Sequence, residues 1–355
     1  MSEVETLCAQ IRIPSPEVAT EVRVRWERLR LGTGDAGKLQ DIVVQYAAAL
    51  GDVNPPEAKK MMILAAGDHG ISKYKLSAYP MSVTVDMTRN YLISKGAGAN
   101  ALAYYAGADM TVIDAGIAAD MSAVPGLVHR KIAWGTADMS QGPAMTREQA
   151  LQALSIGIDT VKDCIDRGYR LFSVGEMGIS NTTTAAAMIG AFRGWTAEEV
   201  TGRGTNISDE RLRRKIGIVA QALEVNRPDP NDGLDILTKV GGFEFGVIAG
   251  VILGAAAYGA LVIIDGFNTT ACAHLAKSIA PASRHYVMAS HLSAEQAHRR
   301  ALAALDAEAY VDLGFRLGEA SGASVQMRML EHALSIYRGT LTTKEWQQQA
   351  GGAAQ

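Results

Sequence analysis

The stretch RLFSVGEMGISNTTTAAAMIGAF, residues 170–192, decides the fold. It opens as a short apolar run, turns on Gly175 and Gly178, and passes through Asn181 and three threonines into an alanine-rich segment with helical character. A strand in a parallel sheet covered on both faces reads as such a continuous run, because neither face is left to water. Four more stretches follow the same plan: MMILAAGDHG (61–70), MTVIDAGI (110–117), ALVIIDGFN (260–268) and HYVMASHLS (285–293). Helical patterns lie between them, over 83–106, 146–167, 182–193, 208–226 and 244–258. Strands alternating with helices predict an α/β fold with a parallel sheet flanked by helices. Ligands bind such sheets outside the carboxyl ends of the strands. The polar residues gather there: Asp68, His69, Asp114, Glu176, Asp265, Asn268, Ser290 and His291.

Working outward, Val22–Leu31 and Leu39–Leu50 have helical apolar spacing, broken by Gly32, Gly34 and Gly37. Residues 51–60, with Pro55 and Pro56, form a loop. From Ala294 to Arg338 the pattern is helical, with one interruption at Gly314–Gly322, and the polar end from Gly339 reads as a flexible tail, 339–355. The most apolar stretch, Phe245 to Ile264, is rich in Gly and Ala and runs into LVIID, so a buried helix followed by a buried strand explains it better than a membrane span.

The composition supports a sizeable core, with 48% apolar residues, and its 34 basic against 37 acidic residues give no electrostatic case for a nucleic-acid partner. Cys8, Cys164 and Cys272 are far apart and odd in number, as expected of thiols in a reducing compartment. The N-terminus lacks a basic region followed by an apolar one, so a cytoplasmic protein is expected. The dinucleotide fingerprint is missing: Gly96-Ala-Gly98 comes nearest but has no third glycine and does not directly follow a strand. Neither a P-loop nor a metal-binding pattern is present in the sequence, and no cofactor or metal is expected.

Three segments carry chemistry. The turn Gly175–Thr184, with Glu176, Gly178, Ser180, Asn181 and Thr182, joins a strand to a helix start, where free N–H groups and hydroxyls suit a phosphate; an ordinary capped glycine turn reads the same way. Thr201-Gly-Arg-Gly-Thr-Asn206, with Gly204, precedes a helix carrying Lys215, a loop and cation able to complete a phosphate site, or else a plain loop beside a solvated helix face. Leu317-Gly-Glu319-Ala-Ser-Gly322 sets one carboxylate in a glycine-rich break between helices, which suits a general base as well as a surface glutamate.

Together these motifs resemble the nicotinate-nucleotide:dimethylbenzimidazole phosphoribosyltransferase family, which makes the nucleotide of the cobamide lower ligand. The resemblance runs over roughly residues 8–338, through Asp68-His-Gly70, Val112-Ile-Asp-Ala-Gly116, Gly175–Thr183, Lys239-Val-Gly-Gly-Phe243, Asp265-Gly-Phe267, Ser290-His-Leu-Ser-Ala-Glu295 and Leu317–Gly322. It implies a large Rossmann-like domain (61–294), a small helical lobe from both chain ends (1–60 with 295–338), and a dimer with active sites near the subunit interface. It implies transfer of phosphoribosyl from nicotinate mononucleotide to an aromatic base. Glu319 matches the carboxylate that takes the proton, and the donor phosphate is expected near the 176–183 turn, Lys215 and Ser290. Tyr79, Met87, Leu317 and His69 are expected to line the pocket of the acceptor base.

Departures from the family pattern bear on that pocket. Its turn usually reads Gly-Asn-Thr-Thr, whereas Ser180 precedes Asn181 here, and Asn206 stands where a glycine is usual. Tyr79 before Pro80 replaces a small serine, and Met87 replaces a glutamine, so the pocket is expected to suit a different or broader base: a benzimidazole, a purine or a phenol. The dimer is expected to be homomeric or formed with a homologous chain. A non-catalytic or half-site partner subunit of a heterodimer is the alternative function.

Overall fold

The structure, a computed structural model, describes residues 3–32 and 34–352. Six strands form one sheet: β1 (Lys60–Gly67), β2 (Ala108–Gly116), β3 (Leu127–His129), β4 (Leu171–Met177), β5 (Leu261–Ile264) and β6 (Val287–Ala289). Their order is β3-β2-β1-β4-β5-β6 and every pairing is parallel. Every residue of β1, β4, β5 and β6 is buried, as the continuous apolar runs require. Five of the strands lie where the sequence predicts them. The sixth, β3, is three residues long and ends exposed at His129, too short to leave a pattern.

The helices follow their caps. Thr146 accepts a hydrogen bond from the Gln149 N–H to open helix Arg147–Asp166, and Ser208 does the same for the Arg211 N–H at helix Asp209–Asn226. The apolar stretch from Phe245 is helix Phe243–Ala257, buried all round, followed by β5. Its glycines let it pack against helix Arg147–Asp166 almost backbone to backbone: a Cβ on Gly250 would lie 2.1 Å from the Leu154 carbonyl oxygen. No helix among the described residues is long and apolar enough to cross a membrane.

Two predicted helices are broken. The segment 83–106 is helix Val83–Arg89, a π-helical turn at Asn90–Ser94, a left-handed Lys95 and then helix Gly98–Ala106. The cause is the Lys95-Gly96 step, where Gly96 donates its N–H to the Asn90 side chain instead of continuing the helix. Between Ala294 and Arg338, helix is found at His298–Ala304 and from Ser321, the latter running to Gly339. Of the segment expected as a flexible tail, Thr343–Gly352 forms a helix, and residues 353–355 lie outside the described residues. That helix is tied back by an Arg25–Glu345 ion pair of 2.8 Å and by Arg30 stacked over Trp346. Leu29 and Thr342 form an antiparallel bridge, so the two chain ends meet.

Candidate active site

Strand order reverses between β1 and β4, and in a sheet of this kind the crevice at that switch point takes the ligand. β1 runs out there into Asp68-His69 and β4 into Glu176-Met177-Gly178. The chain turns at Ser180 and starts helix Asn181–Arg193, whose first turn is aimed at the crevice. Asn268, at the start of helix Phe267–Ile279, donates to the Glu176 carboxylate at 2.7 Å and to the Asn181 side-chain oxygen at 3.1 Å. Three elements far apart in sequence thus share one buried polar cluster. Thr84 fixes the turn from the other side by accepting the Ile179 N–H at 3.3 Å.

Lys215 is buried, and its ammonium donates to Thr182 Oγ1 at 2.9 Å and to the Gly202 carbonyl at 3.0 Å. Glu295 accepts the Gly204 N–H at 2.7 Å, so loop 201–206 is pinned between Lys215 and Glu295. Burial lowers the Lys215 ammonium to about 8, against the pull of Glu295. Several buried oxygens here have no hydrogen-bond partner: Ser180 Oγ, Thr183 Oγ1, Asn268 Oδ1 and Glu295 Oε2. Buried polar groups are ordinarily paired, so such a concentration at one end of the sheet marks a place built to meet a polar ligand.

Glu319 comes to the crevice from the C-terminal part of the chain, its segment seated on the end of β4. Gly318, Glu319 and Ala320 all have left-handed backbones, with φ of 77°, 59° and 58°. This unusual run ends at helix Ser321–Gly339, whose Gly322 and Ala323 N–H groups bond the Asp265 carboxylate at 2.8 and 3.1 Å. Gly175 gives the run its seat: a Cβ there would lie 2.4 Å from the Ala320 nitrogen and 2.8 Å from the Glu319 carbonyl carbon. Burial raises the Glu319 carboxyl, with the Tyr91 hydroxyl drawing it partway back. Glu176 is pushed up to about 8 by burial and by Asp265, and Asp265 to about 7 by burial, offset in part by its two N–H donors. Carboxyls shifted into the neutral range in a cleft are the usual equipment for moving protons.

The remaining predicted residues are placed as follows. Ser290 spends its hydroxyl on the Asp265 carbonyl at 2.9 Å and on His291 at 3.1 Å, behind the crevice wall. His69 is buried, with Glu244 at 2.6 Å on one ring nitrogen and Thr184 at 3.0 Å on the other. Burial alone would lower the His69 imidazole, but Glu244 and Asp68 outweigh it and hold it raised. Leu317 is 57% exposed and lies over Gly98. Tyr79 is also 57% exposed, while Met87 is half-buried one turn before Tyr91. The sequence reasoning missed the Glu244–His69 pair, the Asn268 bridge and Tyr91. Asn268 was visible as a polar residue at a strand end, whereas nothing in the sequence singles out Glu244 within the helical range 244–258. Among the described residues no cluster of His, Cys, Asp and Glu has the arrangement to hold a metal ion.

Ser180 supplies one prediction. Its φ of 78° lies in the left-handed region, which costs a residue with a Cβ roughly 1–2 kcal/mol, against a smaller entropic loss for glycine. Ser180→Gly is therefore expected to raise the stability of the unliganded protein by about 0.5–1 kcal/mol. Denaturant unfolding measures this; a destabilised variant means that the buried Ser180 hydroxyl carries weight that its lack of a partner does not reveal.

A parallel sheet whose crevice gathers a helix-opening turn, a buried lysine and raised carboxyls has the parts of a group-transfer enzyme. A family profile described as Phosphoribosyltransferase matches residues 11–347. The chain is 44% identical over 320 residues to the nicotinate-nucleotide–dimethylbenzimidazole phosphoribosyltransferase of Chloroflexus aggregans, covering 90% of each chain. It is 43% identical over 341 residues to the enzyme of the same name from Geobacter metallireducens, covering 96% of each. The crystal structure of CobT from Thermus thermophilus superposes with a TM-score of 0.88 at 39% identity, over 93% of this chain and 98% of that one. This chain belongs to the nicotinate-nucleotide–dimethylbenzimidazole phosphoribosyltransferase family.

Proposed function

We propose that this enzyme moves the phosphoribosyl group of nicotinate mononucleotide to an aromatic base, giving an α-ribotide for the lower ligand of a cobamide. The observation that carries the reading is the pairing, across one crevice, of the Lys215-backed turn at Asn181 with the raised Glu319 carboxyl. The nicotinate of the donor is a cationic pyridinium, already a good leaving group, so the protein need not protonate it. Its work is to fix the ribose phosphate, to align the base behind the anomeric carbon, and to take the proton that the base sheds. Displacement from behind a β-linked nicotinate inverts the anomeric carbon and yields the α-linked product.

In this reading the Gly178–Thr183 turn and Gly204 hold the phosphate, Lys215 supplies the charge behind them, and Glu176 and Asn181 face the ribose. Glu319 is the general base. Tyr79, Met87 and Leu317 edge the acceptor pocket; His69 with Glu244 supports the turn from beneath, and Ser290 supports Asp265. A side chain as apolar as Met87 in place of a polar one favours an acceptor with less hydrogen-bonding need, such as a phenol, over dimethylbenzimidazole. The helices of the two chain ends make one small lobe (1–60 with 295–338) against the sheet domain (61–294). A dimer, with a second copy or a homologous chain, is supported by the exposed apolar side chains of Tyr79, Met81, Ile93, Leu313 and Leu317 around the crevice segments. The three free thiols fit a cytoplasmic location.

The test is mass spectrometry of the purified enzyme with nicotinate mononucleotide and a panel of benzimidazoles, adenine and phenols. A ribotide with release of nicotinate supports the reaction, and the preferred acceptor assigns the pocket. No ribotide from any acceptor, alone or with a homologous chain present, overturns it.

Lys215→Met is expected to raise the donor KM by roughly ten-fold or more, the scale of a lost hydrogen bond to a charged group, while leaving the preference among acceptors as it was. The pH dependence has a definite sign. A buried ammonium at about 8 is charged below that pH and neutral above it, so the wild-type donor KM should rise as pH passes 8, and the variant should lack that rise. Steady-state kinetics from pH 6.5 to 9.5 decide it; a flat wild-type profile removes Lys215 from the phosphate site.

A further inference from the structure

Tyr91 is an unusual residue to find inside this fold. Its side chain is 1% exposed, and its buried hydroxyl has no hydrogen-bond partner of ordinary geometry. It sits in the π-helical turn Asn90–Ser94, a distortion that recurs at functional sites. The turn is held in place rather than loose: Asn100 donates to the Tyr91 carbonyl at 2.9 Å, and Gly96 donates to the Asn90 side chain at 3.2 Å. Helix Gly98–Ala106, which follows it, packs against helix Ser321–Gly339, and Leu317 closes over Gly98. The segment that carries Tyr91 is therefore fastened to the segment that carries Glu319. The Tyr91 phenol is within interaction range of the Glu319 carboxyl, and the charge of Glu176 also bears on it. Glu319 in turn is one of the groups that bear on Asp265.

We propose that Tyr91 is the positioning residue of the reaction: its hydroxyl donates to one oxygen of Glu319, leaving the other oxygen aimed at the acceptor base. A glutamate side chain has many rotamers, and a donor fixed in the core selects one. Catalytic hydrogen bonds commonly tighten only in the reactive complex. Burial explains the placement: a phenylalanine fills the same core space, so the hydroxyl has no packing role. The inference rests on the reading of Glu319 as the base.

Tyr91→Phe, Glu319→Gln and the double variant separate the two ideas. The dependence of kcat/KM on pH is measured for each, with nicotinate mononucleotide and the best acceptor of the panel. Tyr91 from the π turn bears on Glu319 directly; Glu176 from the end of β4 bears on Tyr91, and Glu319 bears on Asp265 at the end of β5. Tyr91 favours the ionised carboxylate. Its loss should make Glu319 harder to ionise, move the acidic limb of the profile to higher pH, and lower the rate at neutral pH roughly ten-fold. The donor KM should hold, and Tyr91→Phe should cost nothing further in the Glu319→Gln background. An unmoved limb with an inactive Glu319→Gln overturns the positioning role alone. The same loss in both backgrounds also overturns it, since that is the mark of a structural effect. A fully active Glu319→Gln overturns the base assignment and the inference together. Should Tyr91→Phe fail to fold, 3-fluorotyrosine at position 91 keeps the ring and strengthens the donor; the limb must then move to lower pH, and a limb that stays put overturns the proposal.

Discussion

Glu319→Gln is expected to fold as the wild type does and to turn over about 10²–10⁴-fold more slowly, the usual contribution of a general base. The amide keeps the size and shape of the carboxylate, so the left-handed run from Gly318 to Ala320 and its seat on Gly175 are undisturbed. What disappears is the ability to accept a proton. Because burial raises the Glu319 carboxyl, it stands nearer to neutrality than a surface glutamate, and its proton transfer is better matched to a base that loses its proton only as the new bond forms. The loss should sit in kcat, with the donor KM little changed, since the proposed phosphate site is built from other residues, the 178–183 turn and Lys215. The size of the loss also reports the acceptor: a phenol acidic enough to ionise unaided will suffer less than a benzimidazole. A purified, folded variant with the wild-type rate for every acceptor removes Glu319 from the chemistry.

Gly175→Ala should be nearly as damaging without touching any reacting group. Its new methyl meets backbone on one side, the Ala320 nitrogen at 2.4 Å and the Glu319 carbonyl carbon at 2.8 Å, and the Leu64 side chain at 2.8 Å on the other. Backbone in the middle of a sheet and at the start of a helix cannot swing aside as a long side chain can. Overpacking of this kind costs about 1–3 kcal/mol. The cheaper relief is for residues 318–320 to lift away from β4, because the left-handed conformations of Glu319 and Ala320 are already strained. A displacement of about 1 Å at a reacting group can cost about 10²-fold in rate. The expected result is a modestly destabilised protein whose kcat falls by that order while donor binding survives. Thermal unfolding, donor binding and kcat are measured together. Normal kcat with lowered stability means that the strain was taken up elsewhere, and that the seat does not govern the base.

The sequence made the sheet legible because parallel strands buried on both faces leave unmistakable apolar runs, and β1 and β4 are of that kind. Its carboxyl ends were legible for the same reason: Asp68, Glu176 and Asp265 are charges placed where an apolar run stops. The Lys215–Thr182 contact was foreseeable only as a pairing of two motifs, since nothing local says that a helical lysine is buried. The π turn was not legible. It depends on Asn90 capturing the Gly96 N–H, a side-chain bond that competes with the helix and leaves the apolar periodicity unaltered. The burial of His69 was hidden likewise: its partner Glu244 is 175 residues away, and only the fold brings the two together. Local pattern thus located the crevice, whereas the side chains that shape its walls were set by contacts between distant segments.

The position of Glu319 along the chain has a consequence for how the enzyme comes into being. A ribosome reading this message delivers the last strand, β6, at Val287–Ala289, and only afterwards the loop with Glu319 and the helix Ser321–Gly339. Until that helix docks, Asp265 lacks the two N–H donors that hold its charge, and Gly175 is an uncovered notch in the sheet. The proposed phosphate turn is thus synthesised well before the carboxylate proposed as the base. The segment that carries Glu319 is therefore among the last parts of the fold to be put in place, and its helix supplies core side chains such as Met327, Leu330 and Tyr337 as well.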